Sequence, residues 1–286
     1  MRRNRQRMQG FTLVELAVVM TIVALLLASL MYTLSAQMEQ RNIEETRRRL
    51  DQARELILSY ALIKGRLPCP ARFTTSTDHS SGQESFCTTA ATSQFSTCVG
   101  SETTTVPSSP EHGTCSNHFN GYLPAASIGY TQTDPSGFAL DAWGNRIRYA
   151  VTRRNTNCSG TSTPANSYTT MFTSKTYLQS YGITCLPDDL IVCKSGTGVS
   201  STDCGGVSNQ VMSSSLVVAV LLSTGKNGGT YGGTGTDEAV NVAGNRTFVL
   251  HTPTDSSFAN GEFDDQLTWI TAGELYGRMI SAGRLP

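Results

Sequence analysis

The chain has 286 residues, 38% of them hydrophobic, with 22 basic and 22 acidic side chains. That is enough for one membrane anchor and one sizeable globular domain. Arg2, Arg3, Arg5 and Arg7 stand together at the N-terminus without an acid, so the remainder carries an excess of acids, which argues against a general nucleic-acid-binding domain.

An uncharged run, LAVVMTIVALLLASL, fills residues 16–30 directly after Glu15. The stretch from Phe11 to about Gln37 is long enough to cross a bilayer as a helix. The arginines on its N-terminal side place that end in the cytoplasm. A cleaved secretory signal and a plain anchor share this layout. The run exceeds the usual signal core, however, and no A-x-A site follows it. Neither reading accounts for Glu15, since a charge at a bilayer centre costs on the order of 2.5–3.5 kcal/mol.

Gly10 followed by Phe-Thr-Leu-Val-Glu-Leu, residues 11–16, resembles the processing site of type IV pilins and type II secretion pseudopilins. The resemblance implies cleavage after Gly10 by a prepilin peptidase and methylation of the new N-terminus at Phe11. It implies a bacterial inner-membrane protein, single-pass with its N-terminus cytoplasmic, that joins other pilin or pseudopilin subunits in a helical filament. That filament is a periplasmic pseudopilus or an extracellular pilus. It also implies an assembly role for Glu15, which stands roughly 6 Å along a helix from the new amine of Phe11. Pairing with that amine, or with a neighbouring subunit's, offsets the buried charge and sets the axial register. Glu15 argues against a tip pseudopilin, which usually lacks it. Tyr32 stands near the position where many filament-forming pilins carry a proline.

No proline or glycine interrupts Phe11 to Lys64, so one helix of roughly 80 Å is predicted. Its second half is amphipathic, with Ile43, Leu50, Ala53, Ile57 and Ala61 on one stripe. Glu44, Glu45, Arg47, Arg48 and Asp51 face elsewhere, as a solvated face or as contacts between stacked subunits. Gly65 and Pro68 end the helix. The expected organisation is a leader at 1–10, a transmembrane and assembly helix at 11–37, its amphipathic continuation at 38–64, and a periplasmic or extracellular head at 65–286.

Residues 72–118 and 155–210 are rich in serine and threonine and read as surface loops. Cys69, Cys87, Cys98 and Cys115 belong to the first, and Cys158, Cys185, Cys193 and Cys204 to the second. No pair has CxxC spacing. An even count on one side of an apolar run reads as a disulfide framework, zinc or free thiols being the alternatives. Two local groups of four are expected, each with three open pairings. GNRIRYAVT alternates Ile147, Tyr149 and Val151 as a half-buried strand. SSLVVAVLLST, near 214–224, is an apolar run of strand length, and NRTFVLHT (245–252) is another strand candidate. DDQLTWIT (264–271) reads as a third, or as a strand leading into the helix that ELYGRMI marks. The fold class is α+β: a long N-terminal helix, half transmembrane and half amphipathic, on an antiparallel sheet with disulfide-rich loops.

The resemblance extends into the head. GRLPCPA is similar to the segment that closes the long helix of major pseudopilins. DAWGNRIRY (141–149) is similar to their packed turn into the sheet. STGKNGGTYGGTGTDEA (223–239) resembles the glycine-rich loop that carries their calcium site. Matching positions imply Asp237 as a calcium ligand, Asn227 where an aspartate is usual, carbonyls near Leu222 and Ser223, and Glu238 as a substitute. The alternative is an ordinary glycine-rich turn. Asp264-Asp265 reads as a strand edge or turn, with carboxylate chemistry or a second cation site as alternatives. His79, His112, His118 and His251 show no ligand spacing and are expected at the surface, while Trp143 and Trp269 are expected in the core. GKNG lacks the rest of a phosphate loop, and neither GxSxG nor HExxH occurs. A structural, non-enzymatic subunit is expected, minor rather than bulk. The alternative is a pilus-displayed binding module whose Ser/Thr-rich disulfide loops contact a surface, DNA or a secreted substrate.

Overall fold

The computed structural model describes residues 12–72, 82–87, 102–103, 113–153, 155–156, 171–228 and 236–285, with the backbone alone at 29–36, 102–103, 155–156 and 171. The chain divides into two compact units, 1–44 and 45–286. The first contains the start of helix α1 (Leu13–Lys64) and the second its end.

The second unit contains, in order, β1 (Phe86–Cys87), β2 (Glu102–Thr103), β3 (Gly121–Tyr122), α2 (Ala125–Ile128), β4 (Arg148–Val151), β5 (Asn155–Thr156), α3 (Lys175–Tyr181), β6 (Leu186–Pro187), β7 (Ile191–Cys193), β8 (Gln210–Met212), β9 (Val217–Ser223), α4 (Thr236–Val242), β10 (Thr247–Val249), β11 (Gln266–Thr271) and α5 (Ala272–Ser281). Strands β11, β9, β4 and β3 form an antiparallel sheet in that order. One of its faces packs on α1 through Leu50, Ala53, Ile57, Leu58 and Ala61, which meet Tyr149, Val151, Leu221 and Ile270 together with Leu275 and Met279 of α5. The sequence stripe thus supplies the helix side of the core. Ile147 joins this cluster as well, so the alternation read in GNRIRYAVT holds.

The opposite face of the sheet is also covered. Ala150, Val217 and Val220 pack with Leu190, Val192 and Phe248. A strand buried on both faces has no polar side to show, which is why β9 reads as an unbroken apolar run. Its partner layer is a second sheet, β10-β7-β8, whose far side holds Ile191, Cys193, Cys204, Val249 and Phe263. Two expectations are corrected here. Residues 155–210 are not simply a surface loop, because α3, β6 and β7 lie within them. The sheets are not wholly antiparallel either, because β10 runs parallel to β7. The strands of the second sheet are three residues each, too short to stand out against their polar surroundings.

Helix α1 stops as expected. Gly65 takes the left-handed conformation (φ 74°) and its N–H closes on the Ala61 carbonyl at 2.8 Å. Beyond it, Arg66 and Glu84 form a buried ion pair (2.7 Å), and the Glu84 carboxylate also accepts from Tyr60 Oη and the Cys69 N–H. Cys69 is bonded to Cys115 and Cys193 to Cys204, each within its own group of four. Cys87 and Cys185 are also disulfide-bonded, to partners outside the described residues. The DAWGN turn is held by Asp141, whose Oδ1 accepts the N–H groups of Trp143 and Asn145 and whose Oδ2 accepts Ser223 Oγ of β9 at 2.6 Å. Arg49 of α1 donates to the Asp141 carbonyl at 2.6 Å, and Thr46 Oγ1 accepts the Ala142 N–H. Trp143 itself is half-exposed rather than core, because the polar Asp141 staple does the anchoring; Trp269 flanks the second cluster.

Ile57 is fully buried and Ile63 is 69% exposed on the same helix. Ile57→Ala lowers the unfolding free energy by about 2–5 kcal/mol in urea titrations. Ile63→Ala changes it by less than about 0.5 kcal/mol. Equal effects would contradict this packing.

Candidate functional site

The N-terminal site begins at the first turn of α1. Thr12 precedes the first helical residue, and its Oγ1 accepts the Glu15 N–H at 3.2 Å. Glu15 Oε2 accepts from both the N–H and the hydroxyl of Thr12 at 2.9 Å. This is a reciprocal capping box, in which two groups left over by the helix start satisfy each other. The signal, Thr-x-x-Glu at 12–15, stands in the sequence, but Glu15 alone was singled out there and Thr12 was missed. Gly10 and Phe11, the expected cleavage and methylation positions, lie outside the described residues, and so does the expected amine–Glu15 pair.

Every side chain from 12 to 28 is exposed, including Leu13 at 85% and Leu25 at 72%. The one later hydroxyl in this stretch, Thr21, donates back to the carbonyls of Ala17 and Val18. Among the described residues no helix is long and apolar enough to cross a membrane. The span expected at 11–37 includes residue 11 and the side chains of 29–36, which lie outside the description.

The second site gathers at the glycine-rich loop after β9. Glu238 of α4 and Asp264 and Asp265, just before β11, each bring a carboxylate oxygen within 4.8 Å of the others. Asn227 Nδ2 donates to both oxygens of Glu238, at 3.2 and 3.1 Å. Glu238 Oε1 also accepts the Asp264 N–H at 3.0 Å, and Asp264 Oδ2 accepts the N–H groups of Lys226 and Asn227. Asp265 Oδ2 accepts Asn241 Nδ2 at 2.7 Å. Gly225 (φ 63°) lies so close that a Cβ there would meet Asp264 Oδ1 at 1.8 Å, so only glycine fits.

Three oxygens in this group, Asn227 Oδ1, Asp264 Oδ1 and Asp265 Oδ1, are buried and accept no hydrogen bond. Burial first, and Glu238 next, push the Asp264 carboxyl up to about 6. Burial likewise raises Asp265 well above the usual carboxylate range. Buried acceptors without donors suit a hard cation, which takes carboxylate and carbonyl oxygens. Glu238, Asp264, Asp265 and Asn227 are the residues that could hold one.

The expected ligands are thus divided by the structure. Glu238 and Asn227 lie in the group. The Asp237 carboxylate is engaged elsewhere, accepting from the Gly196 N–H (2.5 Å), Asn260 Nδ2 (3.1 Å) and facing His251 Nε2 (2.9 Å). The carbonyls expected to contribute belong to Leu222 and Ser223 of β9, which pair in register with Leu267 and Gln266 of β11. The contribution of Asp264 and Asp265 to this loop comes from 26 residues further along the chain than Glu238, a contact across the fold that spacing cannot show. Two histidines depart from the surface expectation: His118 is buried, and His251 is half-buried, stacked on Phe263. His79 and His112 lie outside the described residues.

Residues 5–31 match the family model described as the prokaryotic N-terminal methylation motif. This motif, the hallmark of type IV pilins and pseudopilins, gives the chain a prepilin-type N-terminus. No curated protein and no solved structure matches the chain.

Because the folded Asp264 carboxyl titrates near 6 and an unfolded one near 3.8, the native state binds the extra proton between those values. Stability from this group is therefore present at low pH and is lost as pH rises from about 4 to about 6. Asp264→Asn, which carries no charge, gains on the parent across that window. In chelator, its unfolding midpoint relative to the parent is higher at pH 7 than at pH 4. A difference independent of pH would contradict the assignment.

Proposed function

We propose that this protein is a membrane-anchored, pilin-like structural subunit that is cut after Gly10, methylated at Phe11 and assembled through its N-terminal helix. The observation that carries this reading is the motif match over residues 5–31, with Gly10, Phe11 and Glu15 at their expected places. The motif implies a prepilin peptidase and other pilins as partners, and suggests a membrane-anchored precursor. On this reading residues 1–10 are the leader, 11–37 lie in lipid or in the filament core, 38–64 continue the helix, and 65–286 form the head outside the cytoplasm. The chain acts as a minor, non-enzymatic subunit of a type IV pilus or a type II secretion pseudopilus.

Cleavage changes what Glu15 can do. In the uncut chain its carboxylate closes the capping box with Thr12. Removal of the leader places a charged amine one residue before Thr12, at the positive end of the helix dipole. A carboxylate already directed at the helix start is positioned to meet that amine, or a neighbouring subunit's. In hydrocarbon the alternative to pairing is an isolated charge, so mispaired registers are disfavoured by several kcal/mol. The hydroxyl of Thr12 orients the carboxylate for this contact.

We also propose that the loop group is a structural calcium site held by Glu238, Asp264, Asp265 and the amide oxygen of Asn227. Its support is the three orphaned oxygens. Calcium there neutralises the crowded carboxylates and ties β9, α4 and the start of β11 together.

Mass spectrometry of the protein from cells that hold the peptidase should find an N-terminus at methylated Phe11; an intact Met1 or a start near Gln37 would defeat the proposal. Glu15→Ala should stay with the membrane yet disappear from sheared filaments, and unchanged incorporation would refute the pairing. Calcium added to the chelated protein at pH 7 should raise its unfolding midpoint, and Asp265→Asn should lose most of that shift. If no shift occurs in the parent, the loop is an ordinary turn.

A further inference from the structure

An asparagine followed by glycine readily loses ammonia, because glycine has no side chain to shield the nitrogen that attacks the asparagine amide. The chain contains this pair at 120–121, 227–228 and 260–261. The structure treats the three differently. Gly121 is fixed in β3 opposite Tyr149 of β4, and the Asn120 amide oxygen accepts from Arg148 at 2.5 Å. The Gly261 N–H donates to the Phe258 carbonyl at 2.9 Å, and Asn260 Nδ2 is held by Ser195 Oγ and by both oxygens of Asp237.

At 227–228 the reacting atoms are open. Among the described residues the Gly228 N–H makes no hydrogen bond, and neither does the buried Asn227 Oδ1. A Cβ at Gly228 would meet Thr224 Oγ1 at 2.0 Å, so glycine is required there and its nitrogen stays unshielded. The third atom of the amide decides what the reaction changes. Asn227 Nδ2 donates to both oxygens of Glu238, at 3.2 and 3.1 Å, beside Asp264 and Asp265. An oxygen in place of that nitrogen turns two attractive contacts into a repulsion between carboxylates at the same separations.

We propose that Asn227 is a deamidation site, and that the reaction converts the loop from one that stands without a cation into one that depends on it. The Gly228 nitrogen, giving up its proton through water, attacks Asn227 Cγ. The Cγ–Nδ2 bond breaks, and the amide nitrogen takes up that proton and leaves as ammonia. Water then opens the cyclic imide, its hydroxyl adding to a carbonyl carbon and its proton to the Gly228 nitrogen. Attack at Cγ restores the ordinary backbone and leaves an aspartate; attack at the backbone carbonyl leaves an isoaspartate. Either way one ammonia leaves, one water enters, and a free carboxylate stands at 227. A further carboxylate in the group strengthens its hold on calcium. The dependence on a cation rests on the calcium reading, whereas the deamidation itself does not.

Full-length protein in an uncharged detergent is held in mildly alkaline buffer, with chelator or with calcium, and its peptides are mass-mapped over time. Urea-unfolded protein is the control for the intrinsic rates of the three sites. In the folded protein in chelator, fragment ions should show the amide-to-acid change at Asn227 before any at Asn120 or Asn260. Calcium should slow it, because Asn227 Oδ1 is then held. Asn227→Asp, purified directly, should unfold at a lower midpoint than the parent in chelator and gain more than the parent from calcium. The inference is overturned if folded Asn227 converts no earlier than the other two, if Asn227→Asp matches the parent in chelator, or if calcium raises parent and variant equally. If calcium raises neither, the calcium reading falls together with the dependence on a cation, and the mass map alone decides the modification.

Discussion

Apolar side chains of the first helical segment must be kept from water, and everything else in this protein is arranged around that need. From Leu13 to Leu27 eleven large apolar side chains are exposed. Leaving each in water rather than burying it costs about 1.5–3 kcal/mol. Together they outweigh the whole net stability of a typical domain, about 5–15 kcal/mol. On the proposed reading, lipid before assembly and sister helices after it supply the cover. Glu15 is the one charged residue in this stretch, and the capping box shows how its oxygens are directed toward the helix start.

The same helix solves a different problem further along. Between Thr46 and Ala61 its apolar stripe is covered by a sheet, and its polar positions are used rather than merely solvated. Arg54 pairs with Glu274 and donates to the Trp269 carbonyl, and Arg278 pairs with Glu55 at 2.7 Å, which joins α5 to α1. Arg49 and Thr46 hold the DAWGN turn. By contrast Glu44, Arg47, Arg48 and Asp51 remain exposed, which suits a solvated face and contacts between stacked subunits alike. The head behind this interface is two sheets deep. A one-sheet head is what the sequence suggests; the added layer comes from β7 and β8, within and just after the segment that carries the last four cysteines, and from β10 further along the chain.

Features set by local chemistry were legible in the sequence. The helix stop at Gly65, the alternation around Tyr149, the buried run of β9 and the passage from β11 directly into α5 all follow from period and turn residues. The second sheet was not legible. Three-residue strands carry too little periodicity, and the parallel pairing of β10 with β7 depends on contacts more than fifty residues apart in the chain. The loop site was half legible. Glu238 and Asn227 stand in the glycine-rich segment, but Asp264 and Asp265 reach it only through the fold, and Asp237 is adjacent in sequence yet directed at Gly196, Asn260 and His251. The burial of His118 was not legible, because it sits in a polar stretch that reads as surface.

On the proposed reading, the segment from Leu13 onward is covered by lipid until the subunit is assembled. Membranes from cells producing the full chain can be washed at alkaline pH, which strips peripheral proteins and leaves those held by an apolar segment. The protein should remain wholly in the pellet until detergent is added. Release into the wash would contradict the claim and require some other cover for the apolar helix.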